Sequence, residues 1–248
     1  MLQFAIFIIH KSRATFINTI MTKKINFVYF AGEPLGVPVA EQLEKAGLLP
    51  SLIVCNPDRP SGRKQLLTPP PVKVWAESRE IPVWQPGNLK NREAVEEKLA
   101  GYDLFVVVAY NNILPKWLID MPAHQTLNLH PSLLPLYRGA SPIRSAILDD
   151  RQDAVGVSVM LLDEKMDHGP LLAQEVMAFA DGTWPVAGLQ LDRALAALGG
   201  ELLADTIPAW IAGNIEPQEQ AHDQATYCSK LDRSMGELTI DPTNLPTG

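Results

Sequence analysis

Three polar side chains stand at the ends of short apolar segments, and their types suit acyl-transfer chemistry. Asn128 and His130 are two residues apart, just before a proline, and Asp167 precedes a turn-forming His-Gly pair. Each residue alone is weak support for a site. Together, an amide and an imidazole can hold the oxyanion of a tetrahedral intermediate, while a carboxylate can take the proton that an attacking amine releases. The set therefore predicts acyl transfer to an amine without a covalent nucleophile.

Two predicted strands position these side chains. Residues 126–130 form a short apolar segment, and its period of two places Asn128 and His130 on the same face. Ser132 has no nucleophile-elbow context, so we expect it to orient the turn that follows. Residues 155–161 alternate apolar and small residues, and we expect a hairpin with residues 171–179 across the turn that holds Asp167. Leucines at helical spacing from 191 to 202 predict a helix that packs on the sheet.

The earlier part of the chain predicts an open α/β sheet. Residues 25–30 predict a strand, followed by a glycine turn and a helix over 35–46. Further strands are expected at 51–55 and 81–84, and the continuous apolar run at 103–109 is typical of a parallel strand buried on both faces. We expect an α/β fold, a Rossmann-like and mostly parallel sheet with helices on both faces, with a site at the carboxyl ends of its strands. Gly32 and Gly36 do not form the dinucleotide fingerprint, which argues against a nicotinamide or flavin cofactor.

Composition limits the other classes of function. Hydrophobic residues make up 46% and charged residues 20% of the 248 residues, as in a globular protein with a core. The net charge of −7 argues against broad capture of nucleic acid, so such a contact must be regional. Cys55 and Cys228 lack metal-like spacing, which predicts passive buried thiols, no metal and a cytoplasmic setting. No apolar run approaches the length of a membrane span, so we expect no membrane contact.

We expect one catalytic domain with a further segment on each side of it. Residues 1–24 are poor in acids and fit a secretory signal badly, so we expect an N-terminal extension. Residues 25–210 would form the catalytic domain. Residues 211–248 become polar and turn-rich and end in Pro, Thr and Gly, which predicts a linker or tail.

Several motifs carry a specific resemblance. They are NLHPSLLP at 128–135, YRGASPI at 137–143 and MDHG at 166–169. Together they resemble the signature of the formyltetrahydrofolate-dependent formyltransferases. A second set resembles the branch of that family that acts on methionyl initiator tRNA: FAGEP at 30–34, NPDRPSGRK at 56–64, PVKV at 71–74 and VVVAY at 106–110. The resemblance extends from 25 to 231 and includes ATYCSKL at 225–231.

The resemblance implies roles for individual residues. Asn128 and His130 would polarise the formyl carbonyl and stabilise its oxyanion, while Asp167 would position or accept protons. The co-substrate 10-formyltetrahydrofolate would lie against Val107, Val108, Ala109, Tyr110, Ser132, Leu133, Leu134, Pro135 and Asp163. Initiator methionyl-tRNA would meet Arg59, Arg63, Lys64 and Arg138. We expect a monomer without a metal ion.

Two departures keep alternatives open. Asn111 stands where the family usually has glycine, and the family's C-terminal β-barrel, which helps to grip tRNA, is not found in this sequence. One alternative is a formyltransferase for a nucleotide-linked amino sugar or for glycinamide ribonucleotide. The missing barrel favours it, and the basic loop with Arg59, Arg63 and Lys64 argues against it. The others are a hydrolase that releases formate from the same folate, and a binding protein without activity.

Overall fold

The fold is described by a computed structural model that covers residues 25–180 and 182–231. The strands of this part of the chain are β1 (Phe27–Ala31), β2 (Leu52–Val54), β3 (Arg59–Ser61), β4 (Leu66–Thr68), β5 (Val83–Trp84), β6 (Leu104–Val108), β7 (Thr126–His130), β8 (Arg138–Gly139), β9 (Gly156–Leu161), β10 (Leu171–Val176) and β11 (Tyr227–Cys228). The α-helices are α1 (Gly36–Lys45), α2 (Pro71–Glu77), α3 (Arg92–Leu99), α4 (Lys116–Ile119), α5 (Pro142–Leu148) and α6 (Gly188–Ile211). The predicted extension, residues 1–24, lies outside the described residues.

A seven-stranded sheet forms the centre of the fold, in the order β10-β9-β7-β6-β1-β2-β5. The five strands β7, β6, β1, β2 and β5 are parallel to one another. Strand β9 runs antiparallel to both β7 and β10. The chain builds outwards from β1 through β2 to β5, and then crosses to the other side of β1 to form β6. This reversal leaves a crevice between the carboxyl ends of β1 and β6, where open α/β sheets bind ligands.

Alternating side chains give the sheet two apolar faces. Phe27 and Tyr29 of β1 point into the core that α1, α2, α5 and α6 cover. Val28 and Phe30 point into a second core, which α3 and α4 cover. The α/β fold, with a mostly parallel sheet and helices on both faces, is therefore confirmed.

The longest helix, α6, packs along the first of these faces. It is long and apolar enough to cross a membrane by length and composition, with a mean hydropathy of 1.2 in its best window. In this fold, however, Leu191, Leu195 and Leu203 are buried in the core. Gly199 allows a close approach to the sheet, because a Cβ atom there would lie 2.8 Å from the Leu129 side chain. The helix is thus a core element of this domain.

The chain after α6 returns to the domain. Gln218 forms a backbone bridge with Leu171, and β11 pairs in parallel with β8. Residues 211–231 thus differ from the linker that their polar sequence predicts. Main-chain pairing and buried polar contacts hold them, and neither produces an apolar period in the sequence. Residues 232–248, the rest of the predicted tail, lie outside the described residues.

Candidate active site

A cleft of about 460 Å³ opens at the carboxyl ends of β1, β6 and β7. Glu33 follows β1, Tyr110 follows β6, and both line the cleft. Asn128, His130 and Asp167 line it as well. The structure therefore brings the three predicted catalytic side chains together at the reversal point of the sheet.

His130 is oriented by a main-chain oxygen. Its Nε2 atom lies 2.9 Å from the carbonyl oxygen of Tyr137, and its Nδ1 atom lies 3.6 Å from Oδ1 of Asp167. A carbonyl can only accept a hydrogen bond, so Nε2 carries a hydrogen. Nδ1 is therefore the atom that can exchange a proton or contact a ligand in the cleft. Both side chains are largely buried, at 6% and 13% exposure.

Asp167 is held in a conformation that is unusual for its residue type. Its φ angle is +48°, in the left-handed region. The N–H of Gly139 donates to its Oδ2 atom at 2.8 Å. Gly139 itself must be glycine, because its φ is +121° and a Cβ atom would lie 2.1 Å from the carbonyl oxygen of Cys228. The N–H of Gly139 in β8 thus holds one oxygen of the carboxylate, and the other oxygen faces His130.

Asn128 is free to contact a ligand. It lies in β7 in register with Val107 of β6 and Met160 of β9, and it is 8% exposed. Its side-chain amide makes no hydrogen bond to any other described residue. The amide N–H groups can therefore donate to an oxygen atom that enters the cleft.

The turn after β7 is fixed by a buried serine on β9. Ser158 Oγ donates to the carbonyl oxygen of Ser132 at 2.6 Å and accepts from the N–H of Leu134 at 3.1 Å. Gln174 Nε2 donates to the Leu134 carbonyl at 2.8 Å. Ser132 Oγ donates to the Leu136 carbonyl at 2.6 Å, which confirms that this serine orients the turn.

The residues predicted to contact the folate divide into two groups. Val107, Ala109 and Tyr110 line the cleft. The other group does not line it: Val108, Ser132, Leu133, Leu134, Pro135 and Asp163. Val108 points into the core on the opposite face, and the turn residues support the site from behind. Asp163 accepts from the ring of His168, with 2.6 Å between Oδ2 and Nδ1.

Burial perturbs two ionisable groups of the cleft. Desolvation raises the pKa of the Glu33 carboxyl and, at the back of the cleft, the pKa of Tyr110. The Tyr110 hydroxyl is buried, and although Asn112 approaches it, no described residue satisfies hydrogen-bond geometry with it.

An ion pair that the sequence did not indicate also lines the cleft. Arg144 of α5 donates to both carboxylate oxygens of Asp192 of α6, at 2.7 and 2.6 Å. Charged residues at helical positions are usually solvated, and only the packing of α5 on α6 brings these two together. No group of three or more His, Cys, Asp or Glu side chains suited to a metal ion occurs in the described residues.

Of the basic residues predicted to contact tRNA, three are exposed and one is buried. Arg59, Arg63 and Lys64 are exposed on the hairpin of β3 and β4. Arg138 differs from the prediction because it is 1% exposed and its guanidinium donates to Gln220 and His222. A group enclosed in this way is not presented to a phosphate.

Comparison with known proteins finds a family model and close relatives in sequence. Residues 23–184 match the family model described as formyl transferase. The chain is 42% identical over 218 residues to the methionyl-tRNA formyltransferase of Halorhodospira halophila, and this match covers 87% of the chain and 68% of that protein. It is 43% identical over 228 residues to the methionyl-tRNA formyltransferase of Herpetosiphon aurantiacus, covering 90% of the chain and 71% of that protein.

Solved structures show the same fold at lower identity. The phosphoribosylglycinamide formyltransferase of Bacillus halodurans matches with a TM-score of 0.59 and 24% identity, over 75% of this chain and 95% of that one. The N-formyltransferase of Helicobacter canadensis, in complex with folinic acid and dTDP-3-aminofucose, matches with a TM-score of 0.61 and 19% identity, over 83% of this chain and 71% of that one.

Proposed function

We propose that this chain, which belongs to the formyl transferase family, transfers the formyl group of 10-formyltetrahydrofolate to the α-amino group of methionyl initiator tRNA. The convergence of Asn128, His130 and Asp167 in one cleft carries the proposal. The names of the relatives at about 40% identity support the acceptor. We place the reaction in the cytoplasm and expect the chain to act as a monomer.

The reaction begins with attack of the neutral amine on the formyl carbon. A C–N bond forms, and the carbonyl electrons move to the formyl oxygen. The Asn128 amide donates to this oxyanion, where preorganised donors contribute most to the rate. His130 adds a second donor from Nδ1 when its ring is an imidazolium, because Nε2 carries the hydrogen of the neutral ring. The protein already orients the imidazole ring, since Nε2 of His130 donates to the Tyr137 carbonyl.

Breakdown of the intermediate requires a proton to move between two nitrogens. The attacking nitrogen loses a proton, and the folate nitrogen gains one as its C–N bond breaks, so the transfer consumes no proton. Asp167 accepts the first proton directly or through a water molecule. Its carboxylate lies 3.6 Å from His130 Nδ1, so an imidazolium formed there is paired with an opposite charge.

The cleft fits a folate-sized ligand. Its volume of about 460 Å³ lies within the range of small-molecule sites, and Val107, Ala109 and Tyr110 give it an apolar wall at the end of β6. The volume and the apolar wall support folate binding at the strand ends.

The exposed hairpin supports a regional contact with tRNA. Arg59, Arg63 and Lys64 place positive charge on an extension whose Leu66 and Leu67 side chains are 64% and 70% exposed. Such a contact would be electrostatic and sensitive to salt. It is compatible with the overall charge of −7 because the positive groups are concentrated on one hairpin.

The test is a transfer assay with the purified chain. Labelled 10-formyltetrahydrofolate is supplied with methionyl initiator tRNA, with glycinamide ribonucleotide or with a nucleotide-linked amino sugar, and formate release is followed in the same tubes. We expect formylated methionyl-tRNA with little free formate. Formylation of a small amine alone, or formate release without an acceptor, would contradict the proposed substrate.

A further inference from the structure

The segment after α6 contributes one buried side chain to the loop that carries Asp167. Gln220 is 4% exposed. Its Nε2 atom donates to the main-chain carbonyl oxygens of Asp167 at 3.0 Å and Gly169 at 2.7 Å. Both amide hydrogens of this side chain are therefore used to hold the loop.

A buried arginine fixes the direction of that amide. Nε and Nη2 of Arg138 donate to Gln220 Oε1 at 3.1 and 2.6 Å, and Nη2 also lies 2.9 Å from Nδ1 of His222. A guanidinium can only donate hydrogen bonds, so the amide oxygen must face it. The amide NH₂ group must then face the loop carbonyls. We refer to these two side chains as the Arg138–Gln220 clamp.

The clamp is also linked to the Asp167 carboxylate through the residue that follows Arg138 in the sequence. Gly139 follows Arg138 directly, and its N–H donates to Asp167 Oδ2 at 2.8 Å. Asp167 is thus held at two points. Gln220 donates to its main-chain oxygen, and Gly139, the residue after Arg138, donates to its side chain. Its φ of +48° is costly for a residue other than glycine and persists only where the surroundings enforce it.

We propose that Gln220 is a positioning residue for formyl transfer, which together with Arg138 keeps the Asp167 carboxylate facing His130. The proposal rests on the proposed function for the role of Asp167 in the reaction. It assigns a task to residues 218–228, which the sequence alone places in a linker.

Gln220→Glu tests the clamp, because the carboxylate still accepts from Arg138 but can no longer donate to the two carbonyls. We expect kcat to fall about 10- to 100-fold, with the KM for each substrate changed less than about 2-fold. Gln224→Glu is the matched control, since it makes the same charge change on an exposed glutamine of the same segment. It should retain the kcat of the unmodified chain.

A double substitution separates positioning from general stability. In the Asp167→Asn background, Gln220→Glu should cost little further in single-turnover rate, because it acts through Asp167. An unchanged kcat, or the same fold-loss in both backgrounds, would overturn the proposal. Thermal unfolding of every variant is followed, and Gln220→Met replaces Gln220→Glu if the charged variant does not fold.

Hydrogen exchange gives a readout that does not depend on turnover. The Gly139 amide should lose protection in Gln220→Glu and keep it in Gln224→Glu, and equal protection in both would overturn the clamp. A chain that transfers no formyl group, but whose Gly139 protection still depends on Gln220, would contradict the proposed function and support the clamp.

Discussion

Nδ1 of His130 lies 3.6 Å from Oδ1 of Asp167, although one residue ends β7 and the other lies in the connection between β9 and β10. Hydrogen bonds on the far side of each residue produce this approach: the Tyr137 carbonyl orients the imidazole ring, and the Gly139 N–H orients the carboxylate. Tyr137 and Gly139 are the two sequence neighbours of Arg138. The short β8 region therefore sets the geometry of both groups at once.

Ser158→Ala should destabilise the fold by about 1–3 kcal/mol, because it leaves the buried N–H of Leu134 without its partner and removes the donor to the Ser132 carbonyl. Urea unfolding measures the change. Ser51→Ala is the control, since the Ser51 side chain makes no hydrogen bond to another described residue, and it should cost less than about 0.5 kcal/mol. Equal stabilities of the two variants would show that the turn does not depend on Ser158.

The combined substitution of Arg59, Arg63 and Lys64 by Ala should raise the KM for methionyl-tRNA and leave the KM for the folate unchanged. The slope of log affinity against log salt should decrease by about 0.7 to 0.9 for each phosphate contact removed. Replacing Lys45, Lys98 and Arg193 by Ala removes the same charge from helices α1, α3 and α6 and should have little effect. If both triple variants weaken tRNA binding equally, only net charge matters and the hairpin contact is wrong.

Asp58→Asn should destabilise the chain at pH 7 and have a decreasing effect as the pH is lowered. Hydrogen bonds from Gln85 and Lys73 lower the pKa of the Asp58 carboxyl. Folding therefore favours the ionised form, and this stability is present above the usual carboxyl range and is lost as the pH falls through the lowered folded-state pKa. Thermal unfolding from pH 7 to pH 3 measures it, with the exposed Asp205→Asn as control. A destabilisation that stays constant over this range would exclude the charge as its cause.

Cys55 should resist alkylation in the folded chain at pH 8. Burial raises the pKa of its thiol to about 11, so little reactive thiolate is present, and the side chain is enclosed in the core. Mass spectrometry after treatment with iodoacetamide should show modification of Cys55 only after unfolding. Rapid modification of the native chain would show that the thiol is accessible and ionised.

The sequence predicts the central elements because their signals are local. The run at 103–109 is apolar after Asp103, and β6 is indeed buried between two parallel neighbours. The period of two along β7 places Asn128 and His130 on one face without any knowledge of the tertiary structure. For these residues, the local pattern and the final packing agree.

Other parts of the site depend on contacts between distant residues. Arg138 appears in the sequence as a cation in a turn, and only the arrival of Gln220 and β11 explains its burial. Residues 211–231 lack an apolar period because pairing and one buried amide hold them. The Arg144–Asp192 pair depends on the packing of α5 on α6. None of these contacts has a signature within a single sequence window.

The central claim is that Asn128, His130 and Asp167 act as one unit in formyl transfer to methionyl-tRNA. The most direct test is the single-turnover rate of formyl transfer by the unmodified chain, by Asn128→Ala, His130→Ala and Asp167→Ala, and by the triple variant. We predict that each single variant is about 100-fold or more slower with its fold intact, and that the triple variant is little worse than the slowest single one. Near-normal transfer by Asp167→Ala, or losses that multiply fully in the triple variant, would contradict the account.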